Sequence, residues 1–313
     1  MIVTVTLNLA VDKTLSLNEF NIGTVNRPNK MIKKAGGKGI NVARVINNFN
    51  KKVVATGFLG NNEKNIILSN LEEEDIKNDF VNISGDTRTC LAIIDESKNI
   101  TTEVFDTPPV INKNEFSIMK QKLFDLSKEA DIVTLNGSLP SGLPDNAYRE
   151  LIEIISQNSK VFLDTSGQPL KEGIKANPFL IKPNHKEFEN LLEKDLNTKE
   201  ELINYLNDFA NQYPAIKIII ISLGENGLIF SYDNEIYEVK PINKIKVKNP
   251  VGSGDAILGG IGVKLNNDEN IFDAIKFGVA CATSNLKYMS AGILNKKEVY
   301  GLVKNIEIKN INV

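Results

Sequence analysis

The run NPVGSGDAILGGIG at 249–262 holds the residues best suited to chemistry. Gly252 and Gly254 free the backbone to present successive N–H groups, and the apolar stretch behind them reads as a helix whose amino end carries partial positive charge. Such a turn is an anion site. The bland alternative is a helix capped by an acid, a common arrangement. Against it, the helix interior includes Gly259, Gly260 and Gly262, each about 1 kcal/mol worse than Ala and unexpected in a helix with only a structural task. The spacing is neither G-x-G-x-x-G nor a Walker A loop, and a carboxylate at Asp255 would repel a phosphate unless it acted as a base. Phosphoryl transfer to a hydroxyl reconciles an acid with an anion hole.

Other segments supply weaker signals. In AGGKGIN at 35–41, glycines flank Lys38 and let a polar ligand approach the backbone, while Asn41 both donates and accepts; a hinge explains the same residues equally well. Asp12, shortly after the first apolar run, suits two sugar hydroxyls or a simple Asx turn. In KPNHKE at 182–187, Asn184 and Glu187 have the spacing of a capping box, which does not preclude a site role. GSLP at 137–140 and SLGENG at 222–227 also follow apolar runs. In an open α/β sheet ligands bind outside the carboxyl ends of the strands, so these segments would gather on one edge.

The elements that must position them are legible from periodicity. Apolar runs at 2–7, 53–58, 132–135, 161–163, 179–181 and 218–221 alternate with amphipathic stretches at 41–49, 63–72, 114–126, 145–155 and 199–210. Strands apolar on both faces and separated by helices predict an α/β fold with a mostly parallel sheet. Two segments break this rhythm: 12–34 is extended, and 87–105 alternates around a polar turn at 96–99. A β-layer without its own helix must bury its apolar face elsewhere. The expected organisation is therefore a core of 1–11, 36–86 and 107–313 with a small discontinuous β-lid of 12–35 and 87–106, the lid covering substrate and joining a homodimer. A further hairpin, 227–232 with 235–239, extends the main sheet near its edge.

Composition narrows the classes. The 313 residues are 42% hydrophobic and 24% charged, as in ordinary folded proteins. A net charge of −2 without a basic stripe argues against nucleic acid as partner. The apolar run at 218–221 is far short of the ~20 residues a membrane-spanning helix needs. The start MIVTVTLNLA does not read as a signal peptide, so a cytoplasmic protein is expected. Cys90 and Cys281 form no CxxC pair and are expected to be small buried hydrophobes. His185 is the single histidine, which excludes an HExxH zinc site and makes a carboxylate the expected base.

Taken together, GGKGIN at 36–41 and NPVGSGDA at 249–256 make the chain resemble the ribokinase-like, or PfkB-type, carbohydrate kinases over essentially its whole length. It is most similar to the phosphosugar branch, tagatose-6-phosphate kinases and 1-phosphofructokinases, through TVTLN at 4–8, VNR at 25–27, GDTR at 85–88, GSLP, DTSG at 164–167, KPNxxE and SLGxxG. The resemblance implies a ribokinase-like fold and an ATP- and Mg²⁺-dependent kinase. The expected reaction takes tagatose 6-phosphate to the 1,6-bisphosphate, with fructose 1-phosphate phosphorylation as the alternative and a non-catalytic phosphosugar sensor as the rival of another class.

It implies Asp255 as base and the amides around Gly252, Ser253 and Gly254 as anion hole. Asp12, Gly37 and Asn41 would hold sugar hydroxyls. Lys38, Arg88 and Ser138, with Arg27 reaching from a second copy, would hold the phosphate already on the sugar. Asn184 and Glu187 would organise Mg²⁺ through water, and Asn184, Ser222, Gly224, Gly227 and Asn285 would line the ATP site. The guanidinium of Arg88 matches phosphate oxygens in a way a neutral sugar does not require. The sequence departs from the family at Asn8-Leu9-Ala10-Val11-Asp12, where Asn-Pro is usual, at Asn61–Asn65, where more glycine is usual, and at Pro108-Pro109, where Gly-Pro is usual.

Overall fold

The computed structural model describes residues 1–242 and 245–312; residues 243, 244 and 313 of the expected core lie outside them. Six strands form the parallel centre in the spatial order Ile218–Ser222, Leu180–Ile181, Lys160–Asp164, Ile132–Asn136, Ile2–Thr6, Val53–Leu59. Their side chains alternate between two cores. Ile218 and Ile220 join one, with the helices Lys38–Asn48, Ser253–Leu265 and Ile271–Asn285; Ile219 and Ile221 join the other, with Lys113–Ser127 and Ala147–Ile155. A strand with a core on each face must be apolar at every position, which is why periodicity showed runs rather than alternation. Each such Ile contributes about 1.5–3 kcal/mol before conformational entropy is subtracted.

The chain starts in the middle of this sheet, steps one way to Val53–Leu59, and places the later parallel strands from Ile132–Asn136 onward on the other side. The reversal falls at Ile2–Thr6, the position where open α/β sheets hold ligands. Beyond Ile218–Ser222, the antiparallel hairpin Leu228–Tyr232 and Glu235–Val239 turns through Asp233 and Asn234 at φ 54° and 60°. The short strand Ile308–Asn310 covers its outer edge. Among the described residues no helix is long and apolar enough to cross a membrane.

The glycines inside Ser253–Leu265 correct the sequence argument. A Cβ on Gly259 would lie 2.7 Å from the Val45 side chain, and one on Gly260 would lie 2.7 Å from the Gly278 Cα. They let three helices pack closely, a structural purpose for glycines that were expected to have none. Gly262 has only an ordinary 3.5 Å approach to Ile2.

A second, four-stranded sheet runs Lys30–Gly36, Ala10–Leu17, Arg88–Asp95, Ile100–Phe105. Its register puts Asp12 beside Cys90, and Ala10 beside Arg88, so Asp12 and Arg88 share one face. Leu15, Met31, Ile93 and Ile100 fall on the other. Cys281 is buried as expected, but Cys90 is only half-buried, because the open β-layer leaves its face uncovered.

Candidate active site

Asp255 stands at the third position of helix Ser253–Leu265, 5% exposed, with no capping bond from its side chain. The helix starts on Gly252 at φ 80°, where a Cβ would also meet the Ala291 Cβ at 2.4 Å; only glycine fits this turn. The Asn285 amide steadies the turn by donating to the Val251 carbonyl at 3.1 Å. The Ser253 amide is partly engaged, donating to the Pro250 carbonyl at 3.3 Å. The amides of Gly254 and Asp255 have no intrahelical acceptor by position and carry the positive end of the dipole.

The carboxylate is embedded in a charge cluster. Lys38 and Lys182 place their Nζ atoms 3.4 and 3.5 Å from Oδ1 of Asp164, which is 1% exposed and whose Oδ2 has no partner. A Cβ on Gly254 would sit 3.0 Å from the Lys182 amine, so this ammonium lies against the helix start. Burial works against charge on Asp164, but Lys182 and Lys38 outweigh it and hold the carboxyl below its ordinary range. Asp164, with Asp255 and Glu187 behind it, holds Lys38 above the ordinary ammonium range. Burial first, then the Asp164 charge, pushes Asp255 up to about 6 against Lys38, Lys182 and an amide bond from Asn41 Nδ2 at 2.9 Å.

The proposed sugar side lies where the two sheets meet. Burial pushes Asp12 up, opposed by Arg44 and Arg88. A Cβ on Gly36 would lie 2.3 Å from the Asp12 Cγ, so that glycine makes room for the acid. Gly37 sits against the Thr6 methyl instead. Arg88 donates from one nitrogen to the Asn8 carbonyl at 3.3 Å, while its buried Nε has no partner. Asn8 donates to the Ser138 hydroxyl at 2.9 Å, which joins the loops after the first strand and after Ile132–Asn136. Arg27 stands apart from all of these, exposed in the loop between two strands of the small sheet.

On the other flank, Asn184 and Glu187 do form a capping box: the Glu187 amide donates to Asn184 Oδ1 at 2.8 Å, and the Asn184 amide to Glu187 Oε2 at 2.8 Å. Asn184 also bridges to Ser222, whose amide donates to the Pro183 carbonyl at 3.1 Å. Gly224 opens the short 3₁₀ turn Gly224–Asn226, and Gly227 closes it beside the Val239 carbonyl. A cavity of about 690 Å³ lies here, lined by Asn184, Ser222, Gly224, Lys199 and Lys240, a size common for small-ligand sites. A smaller hollow of about 270 Å³ near Lys160 and Phe272 lies at the opposite, amino-terminal end of the strands.

Among the described residues no cluster of three or more His, Cys, Asp or Glu forms a metal cage. An ion that keeps most of its waters and takes one or two carboxylates fits nonetheless. Glu187 lies near enough for its charge to act on Lys38 and has only Oε2 engaged in the cap, and Asp164 Oδ2 is buried without a partner.

Asp164, Lys182 and Arg44 are in the site but were not singled out from the sequence. The first two lie in motifs already noted, DTSG and KPNxxE, at the ends of neighbouring strands; that position was the available signal.

A family model described as pfkB family carbohydrate kinase matches residues 5–298. Phosphofructokinase-2 of Escherichia coli is similar with a TM-score of 0.90 at 22% identity, over 97% of this chain and 98% of that chain. A Staphylococcus aureus protein assigned as a phosphofructokinase gives 0.85 at 27% identity, over 100% and 99%. A Thermotoga maritima protein assigned as a 1-phosphofructokinase gives 0.89 at 22% identity, over 100% of both chains.

Proposed function

The chain belongs to the pfkB family of carbohydrate kinases, and on that premise we propose that it transfers the γ-phosphoryl group of ATP to a ketohexose monophosphate, tagatose 6-phosphate at its C1 hydroxyl. The observation that carries this reading is a buried carboxylate, Asp255, at a glycine-started helix end beside two lysines. In the carboxylate form Asp255 takes the proton of the attacking hydroxyl. The free amides of the helix start and the Lys38 and Lys182 ammoniums face the charge that develops on the transferring group. Asp12 and Asn41 orient the sugar hydroxyls, with Gly37 leaving the backbone open to them.

Arg88 and Ser138 hold the resident phosphate, while Lys38, expected beside them, is drawn by Asp164 toward the base instead. Arg88 is half-buried with an unpaired buried Nε, a donor left for an acceptor that the protein itself does not supply. Ser222, Gly224 and Gly227 border the nucleotide side, while Asn285, expected to line it, is fully buried and braces the helix start from behind; Asn184 and Glu187 meet Mg²⁺ through water. When bound, that ion supplies charge neutralisation on the phosphates.

The small sheet is read as a lid that covers the sugar and excludes water. Its far face, with Met31 and Ile100 at 56% and 53% exposure, is read as the contact of a homodimer that brings Arg27 of a second copy to the site. E. coli phosphofructokinase-2, one of the similar structures, has been crystallised with fructose 6-phosphate and as a tetramer.

Fructose 1-phosphate is the second reading, favoured by the similarity to the T. maritima protein over both whole chains. A coupled ADP-release assay on tagatose 6-phosphate, fructose 1-phosphate and fructose 6-phosphate separates them by kcat/KM. Binding of phosphosugar by calorimetry without turnover at saturating ATP would instead make the protein a sensor.

A further inference from the structure

We propose that Arg44, backed by Glu74, is a positioning residue that locks the Asn41 side chain so that only its NH₂ faces Asp255, and that it fastens the lid hinge at Ala35 to the same lock. The proposal rests on the reading of Asp255 as the base. Arg44 is 7% exposed and lies one helical turn after Asn41 on Lys38–Asn48. Its guanidinium donates in three directions: Nε to Glu74 Oε2 at 2.8 Å, Nη2 to the Ala35 carbonyl at 2.9 Å, and Nη1 to Asn41 Oδ1 at 3.3 Å.

The consequence follows from donor and acceptor chemistry. A guanidinium only donates, so it claims the amide oxygen of Asn41 and leaves the amide nitrogen for Asp255. A nitrogen donor at 2.9 Å favours the carboxylate, the form that accepts a proton. Without Arg44 the amide is free to turn over. Its NH₂ still faces the carboxylate, but its oxygen becomes able to accept from the protonated acid, so the proton on Asp255 is held more tightly than with the lock in place. The other groups acting on Asp255 are Asp164, Lys38 and Lys182, and Arg44 itself acts on Asp12 together with Arg88 and Glu103.

Ala35 is the penultimate residue of strand Lys30–Gly36, where the small sheet hands over to the core helix. Its carbonyl is held by Arg44 and its amide donates to Asn70 Oδ1 at 3.0 Å. Both polar groups of that peptide unit pair are thus pinned to the core, and a shift of the lid strand pulls on the residue that orients Asn41.

The test compares three proteins: wild type, R44K, and R44Q combined with E74Q so that the half-buried Glu74 carboxylate is not left without its partner. Each is checked for folding by thermal melting. The acid limb of kcat/KM is measured, and the Asp255 carboxyl is titrated by ¹³C NMR. Glutamine offers Asn41 a donor or an acceptor equally and so loses the lock. R44Q/E74Q should move the Asp255 titration and the acid limb up by on the order of one pH unit, while donor-only R44K stays near the wild-type curve. A folded R44Q/E74Q protein that titrates like wild type would overturn the proposal, as would an R44K shift equal to that of R44Q/E74Q. If wild type phosphorylates no phosphosugar, the functional reading fails, and the NMR titration still decides the role of Arg44.

Discussion

Burial and the neighbouring Asp164 charge push the Asp255 carboxyl up to about 6, so near neutral pH its charge is maintained against the preference of its surroundings. As base it must be unprotonated, and kcat/KM should fall about tenfold per pH unit below that value. The stability effect runs the opposite way. A carboxyl whose folded value is raised binds its proton more tightly in the native state, so it favours folding at acid pH, and that contribution is lost as pH rises through about 6. Asp255→Asn should therefore lower kcat by about 10²–10⁴ with the KM for ATP little changed, yet melt at a higher temperature than wild type at pH 8. A less stable Asn variant would mean that Asp255 is held by favourable contacts rather than tolerated for chemistry.

At the scale of elements, two substitutions separate function from support. Glutamine at 187 keeps an oxygen for the Asn184 amide, so the capping box of helix His185–Leu192 survives Glu187→Gln. The expected outcome is an unchanged melting temperature with a several-fold higher Mg²⁺ requirement in the assay. A drop in stability with no change in metal dependence would leave the residue only its capping role.

Helix packing gives the converse case. A Cβ on Gly278 would lie 2.7 Å from the Ile257 carbonyl, backbone that has no rotamer to escape into. Gly278→Ala should cost about 1–3 kcal/mol in urea unfolding and displace the helix that carries Asp255.

At the scale of the molecule, the small sheet is the exposed part. Strand Ile100–Phe105 is solvent-accessible at every position, with Val104 and Phe105 at 54% and 59%. An uncovered apolar edge of this kind calls for a partner, and a homodimer through it is the proposed answer. Val104→Glu should give a monomer by light scattering, with a raised KM for phosphosugar if Arg27 reaches across the contact. Wild-type protein that remains monomeric at high concentration would remove both expectations.

How much was legible in the sequence follows from what spacing can encode. Apolar runs announced strands with a core on each side, and alternation at 87–105 announced the hairpin Arg88–Asp95 with Ile100–Phe105. Loops that follow such strands must emerge on one edge, so the candidate segments were located without coordinates. The meeting of Asn41 with Asp255, 214 positions apart, was decided only by tertiary structure, as was that of Lys38 with Asp164, 126 apart. The same holds for the glycines of Ser253–Leu265, whose purpose depends on neighbours from other helices. Periodicity reports how one element divides between water and core. The distances between charges, and hence their proton affinities, arise only when separate elements pack, and no local pattern carries that information.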